Sequence, residues 1–224
     1  MILILEAVTP TVKLIFLCSP GNPTAKALPL AVMEKVAVGA PDCIVVIDEA
    51  YVDFSSQGSA IQLLSQYPNM VVLQTLSKAF GMAAIRCGFC AGSPDVIQLM
   101  NNVKAPYNVN ELTSRKALEA MDSLDALKTN IQSVLEQREI VAAKLNELEY
   151  VVKVYPSDAN FLLVQFKDHS TELYKGMANN CKVITRYRGS ELHCTECLRI
   201  TVGTSDENRA FLEALDKTYK SLTA

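Results

Sequence analysis

Several features are missing from this sequence, and each absence narrows its chemistry. No block of basic residues occurs. The 21 Lys and Arg are scattered among 24 Asp and Glu, and the net charge is -3. That pattern excludes an electrostatic footprint for nucleic acid or for an anionic membrane surface. No apolar run approaches the roughly 18 residues that a transmembrane helix needs. The start, Met1 to Leu5, is apolar, but Glu6 interrupts it and the first basic residue is Lys13. A secretory signal opens on a basic region, so none is expected. The chain shows no internal repeat and no low-complexity segment. A cytoplasmic protein with neither nucleic-acid nor membrane partner is the expectation.

A complete set of internal disulfides is also missing, because seven cysteines are an odd number. Reduced thiols are the simplest reading. Two Cys-x-x-Cys pairs occur, Cys87/Cys90 and Cys194/Cys197, with His193 beside the second. They lie over a hundred residues apart, far beyond the zinc-ribbon loop of about 15–20 residues. Cys87 and Cys90 also fall in a run that reads as a strand, where residues three apart face opposite sides. No metal site is expected.

What is present is an ordinary globular composition, 50% hydrophobic and 20% charged over 224 residues, enough for one large domain or two small ones. Short apolar runs recur at 13–18, 43–47, 70–73 and 87–91. They alternate with helical patterns at 28–38 and 61–64, and Ser93-Pro94-Asp95 carries a cap and a first-turn Pro for a further helix. Runs apolar on both faces predict a parallel or mixed sheet covered on both sides. Helices are expected at 111–121 and along an amphipathic stripe from Leu124 to Leu148. Beyond it, strands are expected at 151–154, 161–166, 183–185 and 198–202, and helices at 170–179 and 205–222, the last capped by Ser205. The fold class is α/β. Residues 1–122 read as a partial large domain, 123–150 as a long connecting helix and 151–224 as a small C-terminal α/β domain.

Polar clusters end the first three apolar runs: Asn22, then Asp48 and Tyr51, then Thr75, Ser77 and Lys78, with Arg86 eight residues on. In open α/β sheets, ligands bind beyond the carboxyl ends of the strands. One amine, two hydroxyls and a guanidinium in so short a span suit a phosphorylated aldehyde. The amine forms an imine; the hydroxyls and the planar guanidinium hold the phosphate. Each residue also has a plainer reading: Asn22 as a turn residue, Asp48 as a cap, Tyr51 as a half-buried aromatic, Lys78 as a solvated surface amine. Together they meet the demands of pyridoxal phosphate. Its ring withdraws electrons while its nitrogen stays protonated, which a nearby carboxylate, Asp48, secures. Its phenolic oxygen takes donors, which Asn22 and Tyr51 supply.

Six blocks then carry a resemblance. Ser-Pro-Gly-Asn-Pro-Thr (19–24), Asp-Glu-Ala-Tyr (48–51) and Thr-Leu-Ser-Lys-Ala-Phe-Gly (75–81), in this order, resemble the fold-type I pyridoxal-phosphate aminotransferases. Ser-Asp-Ala-Asn-Phe (157–161), Val-Ile-Thr-Arg (183–186) and Leu-Arg-Ile-Thr-Val-Gly-Thr (198–204) narrow this to the histidinol-phosphate aminotransferase family, from about Thr9 onward. The resemblance implies amino transfer between histidinol phosphate and 2-oxoglutarate or glutamate, in histidine biosynthesis, by a homodimer. It implies that Lys78 carries the cofactor and shuttles the proton, assisted by Asp48 and Tyr51. Asn22, Thr75, Ser77 and Arg86 complete the cofactor set, and Asn160, Arg186 and Arg199 face the substrate, the arginines gripping its anionic end.

The sequence departs from the family at small positions, with Gly21 for a second Asn and Ala25 and Ala84 for Gly. Family members also carry roughly a third more chain upstream, including an arm, a tyrosine that reaches the partner subunit and a glycine-containing loop for the phosphate. Two alternatives therefore stand beside the aminotransferase. One is a truncated, catalytically weak fragment acting only as an interaction partner. The other is a related aromatic aminotransferase or decarboxylase using the same cofactor.

Overall fold

Three continuous apolar runs near the front pair in parallel because the segments between them are long enough to cross over. In the computed structural model, which describes residues 2–223 (without the Ile2 side chain), they are β1 (Leu14–Cys18), β2 (Ile44–Asp48) and β3 (Met70–Thr75). A helix, α1 (Ile2–Glu6), precedes them, and α2 (Leu30–Gly39) makes the first crossover. The fourth strand, β4 (Gly88–Gly92), returns antiparallel to β3, giving the order β1-β2-β3-β4. Short 3-10 turns at Val52–Phe54, Ala60–Leu63 and Ala83–Ile85 punctuate the loops. Helices α3 (Pro94–Val103) and α4 (Glu111–Met121) follow.

The second sheet is wholly antiparallel. It contains β5 (Val151–Val154), β6 (Phe161–Phe166), β7 (Arg186–Tyr187) and β8 (Cys197–Thr201), in the order β5-β6-β8-β7. A long helix, α5 (Leu124–Asn146), precedes it; α6 (Ser170–Gly176) and α7 (Ser205–Thr223) pack on it. The chain divides into two compact units. The first comprises the residues through Gly21 together with Lys26–Lys128; the second comprises Asn22–Ala25 and the chain from Thr129 onward.

Each unit has its own core. In the first, Ile15, Leu17, Val45, Ile47, Met70 and Val72 project from one sheet face onto Met33, Val36 and Ala37 of α2. In the second, Val141 and Leu145 of α5 meet Leu162, Val164, Leu198 and Ile200 of the sheet and Phe211 and Leu215 of α7. Fully burying each Val, Leu, Ile, Phe or Met side chain of these cores contributes about 1.5–3 kcal/mol.

The expected fold class is the one observed, with local corrections. The sheet of the first unit is not covered evenly: Leu14 and Phe16 on the outward face of β1 are 55% and 63% exposed, so a run apolar on both faces is buried on one. The β-branched run Val183–Thr185 is not a strand; pairing to β8 begins one residue later, at Arg186. The helix from Ser170 ends at Gly176 and continues as one wider π-turn, Met177–Cys181. Ser93 offers no side-chain cap to α3. The cap of α7 is Thr204 rather than Ser205. Its Oγ1 accepts from Glu207 N at 3.3 Å while Glu207 Oε2 accepts from Thr204 N at 2.8 Å, a reciprocal pair that satisfies two helix-end donors.

Candidate active site

Parallel pairing brings the polar ends of β1, β2 and β3 to one edge of the first sheet. Cys18 lies opposite Asp48, and Asp48 opposite Leu73, so the carboxyl ends are level. The half-buried Asp48 accepts from Ala50 N through Oδ1 at 3.0 Å. Among the described residues its second oxygen has no hydrogen-bond partner. Cys18, its neighbour, has its thiol pushed up by burial and then by the Asp48 charge. Three residues after Asp48, buried Tyr51 lies under Lys78, whose Nζ is 5.3 Å from the ring centroid. An ammonium over an aromatic face is attracted by the ring quadrupole. This contact sets the exposed Lys78 beside the turn that follows β2, although 26 residues lie between Tyr51 and Lys78 in sequence.

The turn that presents Lys78 is held by its hydroxyls. Thr75 Oγ1 accepts from Ser77 N at 3.1 Å and lies 2.9 Å from Ser77 Oγ and 3.2 Å from the Cys87 carbonyl. Leu76, fully buried, anchors the turn. Gly81 takes φ +67, which glycine adopts without Cβ strain. Gly88 at the start of β4 lies where a Cβ would meet the Gln74 carbonyl at 2.7 Å, so glycine is required for the strand to approach. Arg86 ends the 3-10 turn in a left-handed conformation, φ 53. Its guanidinium is exposed and donates to the Ala83 carbonyl at 3.0 Å. Thr113 of α4 secures that turn by donating to the Ile85 carbonyl at 3.2 Å.

These residues fit a phosphorylated aldehyde on chemistry. An accessible amine sits at the strand end, two hydroxyls lie within hydrogen-bond distance of each other, and a carboxylate oxygen on the neighbouring strand has no partner among the described residues. Sequence reasoning missed Glu49, which is buried and takes three side-chain hydrogen bonds at the same edge. Its only sequence signal was its place beside Asp48.

The second unit holds the other candidates. Arg199 on β8 donates from Nη1 to Asn22 Oδ1 at 2.9 Å. A guanidinium has no acceptor, so the amide atom it meets is the oxygen, and the Asn22 nitrogen keeps its own donors. The Arg199 guanidinium also lies 5.0 Å from the Phe161 ring centroid. Asn160, just before β6, is fixed by Val202 N donating to its carbonyl at 2.9 Å. Its loop is tied down by Ser157 Oγ, 2.6 Å from the Phe161 carbonyl, and by Arg138 Nη1 on the Ala159 carbonyl at 3.0 Å. Ala25, in the short segment with Asn22, takes φ 61, and its carbonyl accepts from Asp158 N at 2.7 Å. Arg186 and Arg199 are directly opposed across β7 and β8. Two arginines in one register gather positive charge at this end of the second sheet, an arrangement suited to an anion.

The profile described as aminotransferase class I and II matches residues 3–215. The chain belongs to the class I and II aminotransferase family. It is 43% identical over 212 residues to a histidinol-phosphate aminotransferase of Flavobacterium johnsoniae, covering 95% of this chain and 60% of that relative. The chain thus spans about 60% of the length of the curated relatives it matches. Its fold is similar to that of histidinol-phosphate aminotransferase from Sinorhizobium meliloti in complex with pyridoxal-5'-phosphate, with a TM-score of 0.81, 23% identity and coverage of 93% and 58%. It is also similar to an L-threonine-O-3-phosphate decarboxylase from Porphyromonas gingivalis, with a TM-score of 0.85, 23% identity and coverage of 96% and 67%. At that identity these two likenesses speak for the fold, a fold-type I α/β architecture, and not for a substrate.

Proposed function

We propose that this aminotransferase-family chain binds pyridoxal phosphate and takes part in amino transfer between histidinol phosphate and 2-oxoglutarate or glutamate. The observation that carries the reading is the level strand edge on which Lys78 lies over Tyr51, beside the Thr75–Ser77 hydroxyl pair and one strand from Asp48. When bound, pyridoxal phosphate supplies an aldehyde for the amine and a ring that withdraws electrons from the substrate carbon.

This chain's residues have assigned tasks. Lys78 Nζ would hold the aldehyde end of the cofactor and would move the proton at the substrate carbon. Asp48 would keep the proton on the ring nitrogen, and Tyr51 and Asn22 would each serve as a donor for the phenolic oxygen. Thr75, Ser77 and Arg86 would hold the phosphate, Arg86 by exchanging its bond to the Ala83 carbonyl for the anion. Arg199 and Arg186 take the anionic end of the substrate, a phosphate in one half-reaction and a carboxylate in the other, with Asn160 beside them. The pairing of Arg186 and Arg199 in one register supports this assignment, because two guanidinium forks can serve one anion.

Residues 1–122 are assigned as a partial large cofactor-binding domain, residues 123–150, which contain α5, as the connector, and residues 151–224 as the small domain. The working state is assigned as a homodimer in the cytoplasm. Support for association comes from the exposure of apolar side chains on α3, α4 and the loop between them, Leu99, Val103, Tyr107, Leu112 and Leu118, since apolar surface left open favours contact with a partner.

The test is an amino-transfer assay on the purified chain with pyridoxal phosphate. Formation of glutamate from histidinol phosphate and 2-oxoglutarate supports the reading. Turnover of an aromatic amino acid or carbon dioxide release, with none from histidinol phosphate, overturns the substrate assignment.

A further inference from the structure

Glu49 stands between two residues assigned to the site, Asp48 and Tyr51, yet it points into protein. It is 1% exposed. Its carboxylate accepts from Ser59 Oγ at 2.6 Å, from Ala60 N at 2.6 Å and from Gln74 Nε2 at 2.8 Å. All three partners donate. Only a group with two acceptor oxygens and no donor satisfies them together, which is a carboxylate and not an amide. No cation is among these partners, so the short charge-assisted bonds offset the cost of burying the anion.

The three partners come from two segments of the first unit that meet at Glu49. Ser59 and Ala60 open the 3-10 turn Ala60–Leu63, and Ser59 Oγ is itself shared with Gln74 Nε2 at 3.2 Å. Gln74 on β3 immediately precedes Thr75. The Glu49 backbone is fixed as well: its N–H donates to the Leu73 carbonyl at 2.8 Å, and its carbonyl accepts from Val52 N at 3.1 Å, closing the turn that carries Tyr51. One residue thus locks the end of β2, the Tyr51 turn and the last residues of β3 into a single register.

We propose that Glu49 is a positioning residue. Through Gln74 and the Ser59–Ala60 turn it sets Asp48 and Tyr51 relative to Thr75, Ser77 and Lys78, without touching cofactor or substrate. The proposal rests on the assignment of pyridoxal phosphate to that edge, and it deepens that assignment by naming what holds the edge together.

The test compares Glu49→Gln, Gln74→Glu and the exchanged pair Glu49→Gln with Gln74→Glu, all in the full chain. In the exchanged pair the amide oxygen introduced at position 49 can accept from Ala60 N while the amide nitrogen donates to the carboxylate introduced at position 74, so complementarity returns. Two readouts are taken well below the unfolding temperature. Without cofactor, amide hydrogen exchange across residues 50–61 and 74–78 should quicken about tenfold or more in Glu49→Gln and return towards the parent in the exchanged pair. With pyridoxal phosphate, the dissociation constant should rise by at least about tenfold in Glu49→Gln and recover in the exchanged pair. Unchanged exchange in folded Glu49→Gln, or quickened exchange with unchanged cofactor affinity, overturns the positioning role, and so does failure of the exchanged pair to restore either. If the parent chain itself takes up no pyridoxal phosphate, the cofactor assignment fails, and with it the role at that edge; the exchange readout then shows whether Glu49 still locks the segments as a structural residue.

Discussion

Arg199 and Asn22 lie 177 residues apart in sequence and are joined by one hydrogen bond of 2.9 Å from guanidinium to amide oxygen. The bond uses one donor of the fork and the amide acceptor. It fixes the Arg199 head from one side while Phe161 lies under it at 5.0 Å. A guanidinium so held is already ordered, and ordering costs less when an anion arrives.

Removing Arg199 is therefore expected to weaken both anionic substrates. Hydrogen bonds to charged groups contribute about 1.5–3 kcal/mol, so Arg199→Ala should raise the dissociation constants of histidinol phosphate and glutamate by roughly ten- to a hundredfold. Arg199→Lys should recover only part, because an ammonium lacks the fork. Arg186→Ala, at the exposed edge strand, should weaken the phosphorylated substrate more than glutamate. Titration of each variant checks this; equal and slight effects of Arg186→Ala on both substrates would make it structural.

Asp48→Asn keeps the shape of the β2 end and the contact to Ala50 N but removes the charge assigned to the ring nitrogen. Amino transfer should fall on the order of a hundredfold or more, while phosphate-end affinity changes much less. Steady-state rates beside cofactor titrations test it. Near-parent rates would leave Asp48 as no more than a cap for its own turn.

The cap of α7 gives a pH signature. Hydrogen bonds from Thr204 hold the Glu207 carboxyl below its ordinary value of 4.5. A carboxylate with a depressed folded value stabilises the fold above its unfolded pKa, and that contribution is lost as pH falls through the folded one. Glu207→Gln should therefore lower the melting temperature at neutral pH and make little difference in strong acid. Thr204→Ala should cost about 1 kcal/mol. Thermal melts at several pH values supply the comparison; an equal loss in acid would show that the charge plays no part.

The Cys194/Cys197 pair should behave as buried thiols. Burial, and then the neighbouring Cys194 and Glu196, push Cys197 up to about 11 from an ordinary 9.0. Between those values the unfolded thiol loses its proton while the folded one keeps it, so this group's contribution to stability falls as pH rises through that window. At about pH 8, below that window, the folded thiol stays protonated and buried. Iodoacetamide should then leave Cys197 unmodified in the native chain and label it after unfolding, as peptide mass mapping will show. Rapid native labelling would contradict the packing with Leu163 and Tyr155.

Much of the fold was legible because its signals are local. The runs read at 43–47, 70–73 and 161–166 fold as β2 (Ile44–Asp48), β3 (Met70–Thr75) and β6 (Phe161–Phe166), and α4 spans the expected Glu111–Met121. Long-range matters were not legible. The β-branched Val183–Thr185 has strand propensity, but register with β8 starts at Arg186. The run Leu14–Cys18 states that both faces tolerate burial and not that both are covered. Thr204-x-x-Glu207 was readable as a capping pair, yet Ser205 next to it offered the same chemistry one residue later.

At the site, the residues carrying distinctive chemistry stood out: an amine after a strand, a carboxylate after another, hydroxyls in a turn. Those that hold them in place did not. Glu49 depends on Gln74 and Ser59, and Thr113 on the Ile85 carbonyl 28 residues away. Such partnerships exist only once the chain has folded. Asn22 reads as a turn residue in sequence, and its bond to Arg199 has no local signature.

Every assigned task at the first sheet's edge depends on Lys78 being the amine that takes the cofactor. The most direct measurement is borohydride treatment of the folded chain with pyridoxal phosphate, followed by peptide mass mapping. The expected result is one pyridoxyl group per chain, on Lys78, and its loss in Lys78→Ala while that variant stays folded by circular dichroism. A pyridoxyl group on another lysine, or none on a folded chain at saturating cofactor, contradicts it.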